Sequence, residues 1–150
     1  EIYHYCKERN YFTDDNLEFS KFTQRNEGFI ETEDWDRKWL VKTVQDYNIK
    51  INFMNNYNLF GKDGNIDFAI IKFHQVFRFY PKHFIACICL SYAYYKKRNF
   101  EKANEFRILA DQLLKQEDVQ ETYEKYLSWD EEIINYYHNG KNSHISLSVS

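Results

Sequence analysis

Glycine and proline are nearly absent, with four Gly and one Pro in 150 residues. A sandwich or barrel of short strands needs frequent tight turns, and those turns draw on these two residues, so their scarcity fits long helices better than a strand-rich fold. Cysteine is scarce as well. Cys6, Cys87 and Cys89 are an odd number without the spacing of a disulfide framework, which points to a reducing, cytoplasmic setting. No run of about 18 consecutive apolar residues occurs, because Lys or Arg interrupts each candidate, and no membrane-spanning helix is expected. Strong net charge is missing too: the balance is -3.

The chemistry-bearing motifs are also missing. There is no nucleophile elbow, no phosphate-cradling Gly-rich loop and no HExxH. His83 and Cys87, four residues apart, would share a helix face, and His74 is nearby in sequence, yet two ligands do not make a metal site. Cys87 and Cys89 would point about 200° apart on a helix and could not chelate together. The carboxylates Glu33, Asp34, Asp36 and Asp130, Glu131, Glu132 fall at expected helix starts, where the helix dipole accounts for them. No catalytic residue, no metal and no cofactor is therefore expected.

What the chain does have is aromatic and apolar bulk. Aromatic residues make up 19%, with 13 Tyr and 13 Phe, and the 43% hydrophobic share is enough for a core in an all-α fold. Charge is unevenly spread: residues 64–116 hold nine basic and four acidic side chains, whereas 117–150 hold two and seven. A basic middle beside an acidic end reads as contacting faces or solvated surface, and disfavours nucleic acid as a partner.

Taken in order, the first thirty residues carry a weak pattern, with Thr13-Asp14-Asp15 placed to cap a short helix toward Arg25. Thr32 is placed to cap a helix with Glu33, Asp34 and Asp36 in its first turn and with Trp35, Trp39, Leu40, Thr43, Val44 and Tyr47 on one side. A second helix, 51–60, continues or follows it and stops at Gly61-Lys62-Asp63-Gly64-Asn65. The next, 66–79, puts Ile66, Ala69, Ile70, Phe73, Val76 and Phe77 on one stripe, and Pro81 marks its end. From Phe84 to Tyr95 almost nothing is polar, so this helix must be covered on most sides and be central. Lys96-Lys97-Arg98-Asn99 turns into a helix over 100–115. Ser128-Trp129-Asp130-Glu131 reads as a capping box for a last helix, ended by Asn139-Gly140.

A shift of 34 residues pairs Phe60 with Tyr94, Asn65 with Asn99, Ile66 with Phe100, Ala69 with Ala103 and Val76 with Ala110. That is the period of a helix-turn-helix solenoid. Leu90, Ser91, Tyr94, Phe100, Ala103 and Ala110, preceded by Tyr80-Pro81, resemble a tetratricopeptide repeat. Small Ser91, Ala103 and Ala110 would let two antiparallel helices approach, while Leu90, Tyr94 and Phe100 would fill the space between repeats. The resemblance implies antiparallel helical hairpins stacked as a short solenoid: an N-terminal helical segment (1–49), two repeats (50–116), capping helices (117–138) and a flexible tail (139–150), all in one domain.

Such repeats line a concave groove with the first helix of each pair and hold a peptide or helix there. Carrying those positions over gives Met54, Asn55, Asn58 and Lys62 from one repeat, Ile85, Ile88, Tyr92, Tyr95 and Lys96 from the next, and Tyr123 and Tyr126 beyond. Only Asn58 fits the polar set that grips a terminal carboxylate, so the groove is expected to be apolar and aromatic. An aromatic stripe at helical spacing is more often packed core than recognition surface, which applies to Ile85, Ile88 and Tyr92, with Tyr95 and Lys96, at the helix end, the ones to expect on the surface. The expected function is a non-catalytic scaffold that binds another protein or peptide, or serves as a subunit of a larger assembly. The alternative is a helical accessory segment of an enzyme or toxin whose catalytic part lies outside these residues. RNA binding through the Lys/Arg-rich middle, with Tyr stacking, is a third reading.

Overall fold

The structure is a computed structural model that describes residues 2–12, 32–34 and 36–143. Every regular element among these residues is a helix. The chain divides into two compact units, 1–48 and 49–150.

The first unit contains α1 (Ile2–Glu8), where Cys6 is buried and the Arg9 guanidinium lies 3.8 Å from the centre of the Tyr5 ring. The expected helix after Thr13 lies outside the described residues. In α2 (Arg37–Ile49) the cap is Asp36, not Thr32: the Asp36 Oδ1 accepts from the Trp39 amide at 2.7 Å. Thr32 instead accepts from the amide of Asp34, two residues on, which forms a local turn ahead of the helix.

The second unit starts at Ile49, where the backbone widens into a π-helical turn, Lys50–Met54, closed by the Asn55 amide donating to the Lys50 carbonyl. The expected helix over 51–60 is thus split in two. Asn56 breaks it and recaps the short α3 (Tyr57–Phe60) by accepting from the amide of Asn58. The turn that follows needs glycine. A Cβ on Gly64 would stand 2.5 Å from the Tyr57 carbonyl oxygen.

Next come α4 (Ile66–Phe79) and, after Pro81, α5 (Phe84–Lys96), then α6 (Phe100–Leu113). Asn65 and Asn99 cap α4 and α6 in the same way, each accepting from the amide three residues on. The two helices start 34 residues apart and are both 14 residues long. The final elements are α7 (Glu117–Tyr123), which tightens into a 3₁₀ turn over Glu124–Ser128, and α8 (Glu132–Ser143).

Helix α5 is the centre of this unit, as its composition requires. Phe84 through Ala93 are all buried, and α4, α6, α7, α8 and the π-turn pack around it. Each large apolar side chain sheltered this way contributes about 1.5–3 kcal/mol. α5 and α6 run antiparallel: Cys87 meets Phe106, Ser91 meets Ala103 and Tyr95 meets Phe100, so the partner number falls as the first rises. Ala103 and Ala110 are buried and permit the close approach. Ser91, the one polar residue in the buried run, donates to the Ala103 carbonyl at 2.7 Å and so costs little.

Two expectations are corrected at the C-terminal end and two at α6. Ser128 does not open α8; its hydroxyl donates back to the Lys125 carbonyl and closes the 3₁₀ turn. The expected helix over 100–115 ends at Leu113. Asn139-Gly140 does not end α8, which continues to Ser143. Gly140 serves close approach instead: its carbonyl accepts from Arg107 at 2.6 Å, and a Cβ there would meet Nη1 at 2.5 Å. Phe100, expected to fill the space between repeats, lies on the surface against Tyr95 instead. It is 60% exposed, whereas Leu90 is buried and Tyr94 half-buried.

Candidate functional site

The groove positions separate into two groups. Met54, Ile85, Ile88, Tyr92 and Tyr126 are buried, so in this arrangement they pack the core and present nothing to a partner. Asn55, Lys62, Tyr95 and Lys96 are exposed, and Asn58 and Tyr123 are half-buried. Tyr92 shows why the middle of α5 closes over: the Phe60 ring stacks on it at 5.6 Å and the Tyr136 ring of α8 meets it edge-on at 5.1 Å. Its hydroxyl donates to the Glu132 carboxylate. Burial first, and that hydrogen bond second, push the Tyr92 hydroxyl pKa up. α8 thus lies along the face of α5 that the repeat pattern assigned to a groove.

At the last turn of α5 the cover ends. Tyr95 is 48% exposed, and its ring touches those of Tyr92, Phe100 and Tyr136, with centroids 5.1–6.4 Å apart. Lys96 lies over Phe60 and Tyr92, and its Nζ donates to the Leu59 carbonyl. Lys97 pairs with Asp67 at the start of α4. These contacts tie the α3–α4 and α5–α6 turns side by side and hold an exposed aromatic surface in place. Asn58 belongs to that framework, because its side chain accepts from the Asn65 amide.

At the other end of α5, an open cleft of ≈ 320 Å³ runs between the α4–α5 turn and α7, lined among others by Phe79, Tyr80, Pro81, His83 and Tyr123. Lys82 and Asp118 bridge its mouth at 2.7 Å. That bond to Lys82 holds the Asp118 carboxyl below its ordinary range. His83 forms part of the wall, stacked on Phe53 at 4.7 Å and tilted against Tyr123 at 5.4 Å. Its Nδ1 accepts from the Ala86 amide at 3.1 Å and so caps α5, which puts the proton of the neutral ring on Nε2. Burial lowers the His83 pKa to about 4.

The pair His83 and Cys87 does not converge on a common ligand. Cys87 donates to the Phe106 carbonyl, and burial pushes its thiol up to about 12. Burial raises the Cys89 thiol well above its ordinary value. Neither offers a thiolate near neutral pH. His74 shares a hydrogen bond with the Tyr94 hydroxyl. Among the described residues, no three His, Cys, Asp or Glu side chains stand together as a metal site would need. No helix there is long and apolar enough to cross a membrane.

Sequence reasoning missed the exposure of Phe100 and the cleft at Phe79 and Tyr80. The basic run Lys96 to Arg98 was visible, but which of its cations are engaged is a tertiary matter. Comparison with protein-family models, with curated proteins and with solved structures finds no match.

Proposed function

We propose that this chain is a non-catalytic helical scaffold of tetratricopeptide-like design that binds another protein at the open end of α5. The recurrence of capped, equally long helices at a spacing of 34 supports a repeat design, as do Ala69 and Ala103, equivalent and both buried. The observation that carries the binding reading is the emergence of α5 from the core. After ten consecutive buried residues, Tyr95 and Lys96 come to the surface, beside Phe100, on turns braced by Lys96 and Lys97. A rigid aromatic and cationic surface of this kind has the composition of an interface hot spot. Asn55 and Lys62 are exposed as well, and the buried Tyr92 supports Tyr95 from within the core. Three free cysteines suit a reducing compartment for this work.

The test is affinity capture from the native source with the intact chain beside a Tyr95→Glu/Lys96→Glu variant, matched for helical content by circular dichroism. A partner captured by the parent and lost by the variant supports binding at this end. A partner retained by both moves the interface elsewhere, and capture by neither favours an accessory segment of a larger protein.

A further inference from the structure

We infer that Arg98 is the specificity-determining cation of this surface and that the partner it selects is an acidic peptide segment carrying an apolar side chain. This rests on the reading of the α5 end as an interface and names its partner class.

The backbone at Arg98 is left-handed, with φ 59. It closes α5 in a Schellman arrangement: the Asn99 amide donates to the Tyr94 carbonyl and the Arg98 amide to the Tyr95 carbonyl, both at 2.9 Å. Glycine suits that position, since a Cβ in the left-handed region is strained. The fold therefore gains nothing from arginine there. Nor does the side chain repay the strain inside the molecule: among the described residues the Arg98 guanidinium makes no hydrogen bond, ion pair or ring contact, and the residue is exposed. Its neighbours differ. Lys96 is bound to the Leu59 carbonyl and Lys97 to Asp67, so both are committed to joining the two turns.

What remains at this end is an exposed, unengaged guanidinium on the turn that joins two exposed aromatic residues, Tyr95 and Phe100, whose ring centroids are 5.9 Å apart. Five cations, Lys62, Lys96, Lys97, Arg98 and Lys102, stand on the two turns and their flanks against the acids Asp63, Asp67 and Glu101 and, beside Tyr92, Glu132, which leaves a balance of one positive charge. A planar guanidinium receives a carboxylate through two parallel N–H···O bonds, and the rings supply apolar area beside it. Acidic and apolar groups close together in a peptide match both parts. A strained left-handed arginine that serves no internal contact is the kind of local cost found at binding sites.

The experiment uses the whole chain and three fluorescein-labelled decapeptides: one with three Asp around a Leu-Trp pair, one with those Asp replaced by Asn, and one with Leu-Trp replaced by Ala-Ala. Binding is followed by anisotropy and by amide shifts mapped onto Tyr95, Arg98 and Phe100. The acidic Leu-Trp peptide is expected to bind at least about tenfold more tightly than either control and to weaken as salt rises. Arg98→Gly is expected to melt roughly 2–5 °C higher than the parent while losing about tenfold in affinity. These opposite movements separate a binding role from a structural one. Equal binding of the Asp and Asn peptides overturns the acidic class, and unchanged affinity in Arg98→Gly overturns the role of Arg98. A lower melting point in Arg98→Gly removes the strain premise and overturns the inference too. Absence of peptide binding, with a partner still captured by the parent and lost by Tyr95→Glu/Lys96→Glu, overturns this inference alone and leaves the scaffold reading standing.

Discussion

Lowering the pH from 7 to 4 should unfold the 49–150 unit more readily than its carboxylates alone would allow, because of His83. This imidazole is enclosed between Phe53 and Tyr123, and its Nδ1 is occupied as the acceptor for the Ala86 amide. A proton on that nitrogen would place a charge among aromatic rings and turn an acceptor into a donor facing a donor. Burial accordingly holds the folded pKa at about 4, against 6.5 in an unfolded chain. A base with a depressed folded pKa binds fewer protons folded than unfolded. Its contribution to stability is complete above about pH 6.5, declines as the pH falls toward 4, and is gone below that. At about 1.4 kcal/mol per pH unit the interval amounts to up to ~3 kcal/mol, a large part of the stability of a domain this size. The assay is urea unfolding followed by circular dichroism at half-unit steps from pH 7.5 to 4, for the parent and for His83→Asn. Asparagine retains a cap acceptor but does not titrate. His74, whose pKa is also lowered by burial and by Lys102, acts in the same sense in both proteins. The two stability curves should diverge by roughly 2–3 kcal/mol between pH 4 and 7. Parallel curves would refute the placement of His83.

Ala110→Trp should cost at least about 3 kcal/mol or prevent folding, because Ala110 is fully buried where α6 closes on α5; a melting curve like the parent's would mean that the helix pairing is wrong. Gly64→Ala should cost about 1–3 kcal/mol in urea unfolding, since its Cβ would stand 2.5 Å and 2.8 Å from the carbonyl oxygens of Tyr57 and Asn58, atoms that cannot move without the backbone. In Tyr137→Phe the Asp111 carboxylate loses a hydroxyl that donates to it at 2.6 Å, and stability should fall by about 1.5–3 kcal/mol, measured the same way near pH 7.

Much of the fold was legible because it follows from local chemistry. Few turn formers, an apolar run over 84–95, a proline at 81 and turns closing at 65 and 99 are enough to place three successive helices and their starts. The π-turn at Lys50–Met54 was not legible, since no residue type marks a backbone that widens by one position per turn. Ser128 misled because a serine three residues ahead of a glutamate fits a capping box, while the competing acceptor, the Lys125 carbonyl, exists only once the 3₁₀ turn has formed. Gly140 misled for a similar reason. Glycine marks a helix end or a close contact, and only Arg107, 33 residues away, shows that the second applies. In the candidate site the exposure of Tyr95 and Lys96 at a helix end was foreseeable, whereas the burial of Tyr92 depended on α8 arriving from forty residues downstream.

By itself, then, the amino-acid sequence determined that the chain is helical and that the 84–95 run is a covered, central helix. Hydrophobic periodicity and caps act within one or two turns, so each helix carries its own instructions. The tertiary structure alone decided which side chains face outward, which cations are spent on internal contacts, and which histidine is held neutral. Those properties depend on what each residue meets across the core, and residues far apart in the chain meet only when the helices have packed.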